Sequence, residues 1–485
     1  MSKKHTVEWA DAHESRKERR ERAAARTQVK KDERRNREPR IQFDQFPPSK
    51  MPKGGWKTEE SLRGPVRVNP HPHRASTRVL GAAYPFLGES GEIMQGAYIG
   101  ENLLARSPFC YDPWEAYAAH LVKSHSMMFL GVKGSGKSML AKSFSSRLAR
   151  LGRHIAVPHD PNGEWGRVAE YVGGSTIKLG LGLGTQINLL DAGVRDPAMS
   201  RQSWRAHVLQ DRRATVKAII KQIRHSTDIT EYEHTAIDDA LEALMSRDTV
   251  TISDVHTVLR EYETEEEQVR WAARAVAHTL RRLVHGDLAG MFDGESTVEF
   301  DARAPMMVVD TSRLRTVAPD MQALARLATT RWIHNATTGV NRAKRLIVHE
   351  EAAIALMNDV YGGVGLVSRV ADEKVARHDG VASCYLLHGI ADLDALGDAG
   401  SAVREQAMRL LAGCESRVTM QQSTGEVERT ARTFGWNQTM SALVPRLKKG
   451  EGLWQIGQDR IAMVKNKLTP REFEIFNTDG AGGAR

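Results

Sequence analysis

From about residue 80 onward, short apolar runs alternate with stretches of helical periodicity. Met127–Leu130 is one such run, and it ends at Gly131. Behind it Leu140, Ala141, Phe144, Leu148 and Leu151 recur at helical spacing, and Gly152 supplies a stop. Ile155–Val157 is a second run, ending at His159-Asp160-Pro161. Strand, loop, helix and strand in that order predict a βαβ unit and a parallel sheet. Further runs at Met306–Val309, Leu346–Val348, Ala382–Leu387 and Val418–Met420 predict more strands, with helical segments between them. Leu453–Ile456 and Ile461–Val464 flank Gly457-Gln458-Asp459-Arg460 and predict a terminal hairpin.

Residues 195–290 carry little strand signal. Thr230–Glu233 and Thr264–Glu267 have the spacing of capping boxes, and Thr251 or Ser253 is placed to start another helix. This stretch reads as an all-helical insertion. Residues 1–80 are poor in apolar positions, and prolines at 47, 48, 52, 65, 70 and 72 favour extended chain. Such a segment buries too little surface to offset its conformational entropy and is expected to be disordered. Glu14–Arg37 has the makings of a charged helix on a bound partner, and His71-Pro72-His73 in such a setting is more often nothing than a metal pair.

Composition changes this picture in one respect. The 485 residues are 41% apolar and 27% charged, ordinary for a globular chain. The net charge is +9, but residues 1–80 hold 21 Lys and Arg against 11 Asp and Glu, which leaves the other 405 near −1. The basic character belongs to the leader, which is either a solvated tail or a contact for nucleic acid or an anionic surface. No stretch nears the ~18 consecutive apolar residues of a membrane span. No apolar segment follows the charged N-terminus, so no secretory signal is read, and the chain is expected in the cytoplasm. Cys110, Cys384 and Cys414 are too scattered for a disulfide framework or a zinc site.

The chemistry centres on Gly131-Val132-Lys133-Gly134-Ser135-Gly136-Lys137-Ser138, a full match to the phosphate-binding loop G-x-x-x-x-G-K-[ST]. Its glycines let backbone N–H groups face phosphate oxygens, and the helix behind adds its positive end. Lys137 is expected on the β- and γ-phosphates and Ser138 on Mg²⁺, with Gly131 to Met139 forming the nucleotide-contacting set. ATP with Mg²⁺ is the expected cofactor. The run Leu346-Ile347-Val348-His349-Glu350-Glu351 is the best second carboxylate strand, with Glu350 in the metal shell and Glu351 orienting and deprotonating the attacking water. Asp160 and Glu164, in His159-Asp160-Pro161-Asn162-Gly163-Glu164-Trp165, either face the nucleotide or belong to a turn that caps the next helix.

In order, GVKGSGKS, HDPNGEW, GGSTIKLGLGLGTQINLLDAG, GDLAGMFDGEST, MMVVDTSRL and LIVHEEA resemble the TraC-like (VirB-type) ATPases of type IV secretion and conjugation machines. Arg377-His378-Asp379-Gly380, the strand ending at His388, Gly450-Glu451-Gly452 and Phe476-Asn477-Thr478-Asp479 extend the likeness over roughly Gly81 to Asp479. The resemblance implies an α/β, RecA-like P-loop NTPase core with a mainly parallel sheet, ATP hydrolysis, assembly into a ring (often hexameric) and docking on membrane-embedded channel proteins at the inner face of the cell membrane. It carries Lys137 and Ser138 over as nucleotide and Mg²⁺ residues and Glu351 as the catalytic glutamate. It also matches Asp160 and Glu164 to the family's Asp-Pro-x-Gly-Glu. Glu350 stands where the family has Asp, His388-Gly389 where a Gln ends the fourth strand, and the basic leader where full-length members have a large domain. A ring motor needs a cation supplied across the subunit interface, and Arg377 and Arg417 are the candidates.

The organisation expected is therefore a leader at 1–80, the ATPase domain in two parts at 81–194 and 296–485, and the helical insertion at 195–295. The leading function is an ATP-hydrolysing motor for conjugative DNA or protein transfer. Two alternatives stand beside it. One is an FtsK- or HerA-like DNA translocase or coupling protein, with the leader touching DNA. The other is a nucleotide-binding ring scaffold with little hydrolysis.

Overall fold

The computed structural model describes residues 21, 23–25, 27–28, 94–193, 195, 199–224, 228–315, 317, 319–337, 343–350, 352, 380–396, 402–458 and 460–477. The chain divides into two units, residues 1–83 and 84–485. In the first, the described residues are helical, and the Thr27 hydroxyl donates back to the Ala23 carbonyl at 2.8 Å. The rest of the leader lies outside the described residues.

The second unit is built on an eleven-stranded sheet among the described residues. Its strands are β1 (Ala97–Asn102), β2 (Ser107–Tyr111), β3 (Met127–Leu130), β4 (His154–Asp160), β5 (Ser175–Lys178), β6 (Met306–Asp310), β7 (Arg345–His349), β8 (Val381–Leu387), β9 (Ser416–Thr419), β10 (Glu451–Ile456) and β11 (Arg460–Asn466). Their order is β2-β1-β11-β10-β9-β3-β8-β7-β4-β6-β5. From β9 through β5 every pairing is parallel, and from β9 to β2 every pairing is antiparallel. The parallel part is covered on both faces, which is why Met127–Leu130 is apolar throughout and wholly buried.

The helices are α1 (Pro113–Ala118), α2 (Lys137–Arg150), α3 (Gly166–Val172), α4 (Arg201–Arg224), α5 (Glu231–Ala243), α6 (Ile252–Arg260), α7 (Glu267–Val284), α8 (Pro319–Thr337), α9 (Ala402–Gly413), α10 (Thr424–Phe434), α11 (Gln438–Leu443) and α12 (Pro470–Phe476). On one face of the sheet α2 buries Leu140, Phe144 and Leu148 against Phe129, Val157 and Val348. Trp454 of β10 packs against Phe109, Phe129 and Phe144, with ring centroids 5.1 to 6.5 Å apart, and ties the antiparallel extension to the P-loop helix. On the other face α8 and the helices α4 to α7 share a core with Ala156, Met307 and Val309.

The helices α4 to α7 lie in sequence between β5 and β6. Thr230 and Glu233 form a complete capping box, as do Thr251 and Asp254, so Thr251 rather than Ser253 begins α6. The Thr264–Glu267 box does not form. Instead α7 begins at Glu267 with no side-chain cap, and Thr264 Oγ1 accepts the Glu266 N–H at 3.4 Å. The expected strands are found with no end moved by more than three residues; Met127–Leu130 is unchanged, and the run at Val418–Met420 is strand from Ser416 to Thr419. The terminal hairpin pairs Ile456 with Arg460 across a turn whose Gly457 has φ +64°. β1, β2 and β5 carried no clear apolar signal. Gly100 in β1 has its reason: a Cβ there would meet the Lys465 carbonyl oxygen at 1.9 Å.

Candidate nucleotide site

Parallel pairing brings the C-terminal ends of β3, β4, β7 and β8 to one edge of the sheet, and β8 alone separates β3 from β7. The P-loop leaves β3 there and turns into α2. Its conformation depends on glycine. Gly134 and Gly136 have φ +87° and +98°, and a Cβ on Gly131 would meet Ser135 Oγ at 2.7 Å and Met420 Cβ at 2.9 Å. The loop is pinned from outside: the Val132 N–H donates to the Gln421 carbonyl at 3.0 Å and the Gly450 N–H to the Ser135 carbonyl at 2.9 Å. No side chain caps α2, whose N-cap is Gly136, so its leading N–H groups are left for a ligand. The buried hydroxyl of Ser135 has no partner among the described residues.

Lys137 is buried in the first turn of α2. Its ammonium donates to the Leu387 carbonyl at 2.9 Å and lies 3.1 Å from His388 Nδ1, at the end of β8. The loop behind His388 is held by two acids. Asp392 accepts the N–H groups of His388 and Gly389, and Glu426 of α10 accepts those of Ile390 and Ala391.

Asp160 at the end of β4 is buried, and its carboxylate accepts the N–H groups of Glu164 at 3.1 Å and Trp165 at 2.7 Å. Burial raises its carboxyl above the ordinary range, and those two bonds offset part of the rise. These two bonds close the turn from Asp160 to Trp165 and fold Glu164 back toward the P-loop helix, while α3 begins at Gly166 behind an N-cap, Trp165, that makes no side-chain capping bond. There Glu164 Oε2 meets Lys142 Nζ at 2.5 Å, and the Lys142 side chain is fully buried. Glu350, just past β7, accepts the indole N–H of Trp165 at 2.8 Å. Burial pushes its carboxyl up, against the Trp165 bond and the nearby charges of Lys142 and Lys137. His349 before it is stacked on Tyr385 of β8, with centroids 4.9 Å apart.

The site thus gathers the P-loop, Lys137, Asp160, Glu164 and Glu350 at one sheet edge. Glu351 and Arg377 lie outside the described residues. Arg417 stands opposite Met128 in the register, on the face covered by α9 and away from α2. Its guanidinium lies 4.5 Å from the Phe434 ring centre and donates to the Ala412 carbonyl. Lys142 and Trp165 were missed in the sequence. A lysine one turn beyond the P-loop reads as an exposed helix position, and nothing local marks Trp165 as a donor to a residue 185 positions away.

These residues fit a triphosphate with a divalent cation: a glycine cradle, uncapped N–H groups, a buried ammonium, and Ser138 partly exposed in the first turn. Among the described residues no cluster of three His, Cys, Asp or Glu is arranged to hold a metal unaided. A Mg²⁺ ion held by Ser138 and Glu350 would need phosphate and water oxygens to complete its shell, as Mg²⁺ commonly does.

Fold and loop together define a RecA-like P-loop NTPase core with a helical insertion. No protein-family model and no curated protein matches the chain. Among solved structures it is similar to VirB4 of Thermoanaerobacter pseudethanolicus, at 19% identity and TM-score 0.64, over 80% of this chain and 99% of that one. It is more loosely similar to the bacterial conjugative coupling protein TrwB lacking its first 70 residues (12% identity, TM-score 0.48, 77% of this chain and 89% of that one). TrwB in complex with ADP and Mg²⁺ gives 11% identity and TM-score 0.49, over 77% and 90%. The likeness to VirB4 establishes the fold. No described helix is long and apolar enough to cross a membrane.

Proposed function

We propose that this chain is an ATP-hydrolysing motor that energises conjugative transfer of DNA or protein, of the TraC and VirB4 kind. The observation that carries the reading is the P-loop on β3, one strand removed from the β7 end that leads into Glu350, within a fold that covers 99% of the solved VirB4 chain. ATP with Mg²⁺, when bound, supplies the phosphoryl group to be transferred. The uncapped end of α2 and Lys137 bind its phosphates. Ser138 and Glu350 would hold the cation, and Glu351 would take the proton from the attacking water. Lys142 holds Glu164 beside the site. Ring assembly, docking on membrane-embedded channel proteins and an arginine given to the neighbouring subunit by Arg377 belong to the same proposal.

Adding duplex DNA to an ATPase assay across a salt series separates this motor from a DNA translocase. Turnover changing less than about twofold fits the secretion motor, because the folded body carries little net positive charge to grip phosphates. A several-fold stimulation that salt abolishes would overturn it in favour of a translocase.

One observation favours a second reading, a nucleotide-binding ring that hydrolyses slowly. Lys137 is engaged by Leu387 and His388, and Glu350 by Trp165, so both must exchange partners before they reach a nucleotide. ATP-dependent ring formation without phosphate release would support it.

A further inference from the structure

A cavity of about 530 Å³ lies between the helical insertion and the start of β7, at the opposite end of that strand from Glu350. Its volume is in the range of small-molecule sites. Two arginines line it, Arg212 of α4 at 5% exposure and Arg345 of β7 at 2%. A guanidinium carries five N–H donors. Among the described residues each arginine makes one side-chain hydrogen bond, to a backbone carbonyl: Arg212 Nε to Leu190 at 2.9 Å and Arg345 Nη2 to Ala302 at 2.8 Å. Neither forms an ion pair with a described residue.

Burying a cation without a partner is costly. The charges of Asp191 and Asp211 offset part of that cost at Arg212. At Arg345 no charge of a described residue does so, and burial pulls its guanidinium down to about 10. The aromatic wall is built: Phe300 lies under Arg345 at 5.6 Å and meets Trp332 edge-on at 5.7 Å. Asp191, half-buried near Arg212, also lines the cavity, and toward solvent the lining is acidic, with Asp248, Glu295 and Glu299 exposed.

We infer that this cavity binds a small molecule with an oxyanion, carboxylate or phosphate, seated on Arg345 and Arg212, and with donor or cationic groups facing the acidic mouth. The oxyanion fills the unused fork of each guanidinium, the geometry that arginine recognises best. The acidic mouth selects against ligands that are anionic at both ends.

The test is calorimetric titration of the full chain with inorganic phosphate and, separately, with glutamate, whose carboxylates and ammonium combine both charges. Both titrations use a Lys137→Ala background, which removes the strongest phosphate contact in the P-loop. One anion bound per chain is expected, with affinity reduced about tenfold or more, ~1.4 kcal/mol, by Arg345→Gln and by Arg212→Gln. The better of the two probes identifies the head group. Ligand should also raise the melting temperature, and Arg345→Gln should abolish that rise. Arg345→Gln that melts like its parent but binds both probes equally well would overturn the site, as would no binding of either probe to the parent. Should Arg345→Gln not fold, Arg212→Gln carries the same comparison.

Discussion

At the scale of single residues, the site divides into a part that sequence makes visible and a part it does not. Gly131, Gly134, Gly136, Lys137 and Ser138 are contiguous, so spacing alone announces a phosphate cradle, and the φ values and the crowding at Gly131 give its physical reason. Lys142 and Trp165 are functional neighbours only through the fold, Lys142 through Glu164 and Trp165 through Glu350. Trp165 yields a test of Glu350. Trp165→Phe keeps an aromatic side chain, though a smaller one, and removes the N–H bond that lowers the Glu350 carboxyl, so a group already raised by burial rises further. Under the proposed role Glu350 works ionised, and activity is lost as pH falls through its pKa. The acid limb of the turnover–pH profile should therefore move to higher pH in the variant. An unmoved limb, with folding intact, would remove Glu350 from the working site.

At the scale of elements, α2 must stay fixed while its N-terminus works, and Arg147 in its last turn adds a polar tie to the apolar packing that holds it. Arg147 bonds Glu472 of α12 through Nε at 2.8 Å and Nη2 at 2.7 Å, and also reaches the carbonyls of Ile99 and Lys467. Burial raises the Glu472 carboxyl, but Arg147 and the capping bonds from Thr469 lower it by more, and its net shift is downward. Its contribution to stability is therefore complete above the ordinary carboxylate pKa and lost as pH falls through the lowered value. Arg147→Met should lower unfolding stability by about 3 kcal/mol at neutral pH, since it strands a buried carboxylate. Denaturant titrations at pH 7 and pH 4 check this: the gap between wild type and variant should narrow at pH 4. Equal gaps at both pH values would contradict the ion-pair account. The long apolar strands and the Thr230 box were legible, being local patterns. The edge strands β2 and β5 were not. β5 buries Ile177 alone, and β2 has a proline and buries only Phe109 and Tyr111, so neither run is long or apolar enough to announce a strand. At Thr264 the right spacing failed because the N-cap of α7 is Glu266, two residues later.

At the scale of the whole molecule, the order of motifs fixed neither the strand order nor what the insertion covers. The parallel half could be foreseen from alternating strand and helix. The antiparallel half could not, because β1 and β2 join β10 and β11 from opposite ends of the unit. That union reaches the P-loop: the Gly450 N–H, at the start of the β10 hairpin, donates to the Ser135 carbonyl, so the late hairpin supports a loop more than 300 residues before it. The charge asymmetry was readable by counting, and it is the basis for expecting little response to DNA. The central claim is that this assembly hydrolyses ATP through Lys137 and the carboxylates after β7. The most direct measurement is steady-state phosphate release by wild type, Lys137→Ala and Glu351→Gln, with ATP binding measured on each. The account predicts steady release by wild type, loss of both binding and release in Lys137→Ala, and retained binding with release reduced at least about 100-fold in Glu351→Gln. Release at the wild-type rate by both variants, or by neither variant nor wild type, would contradict it.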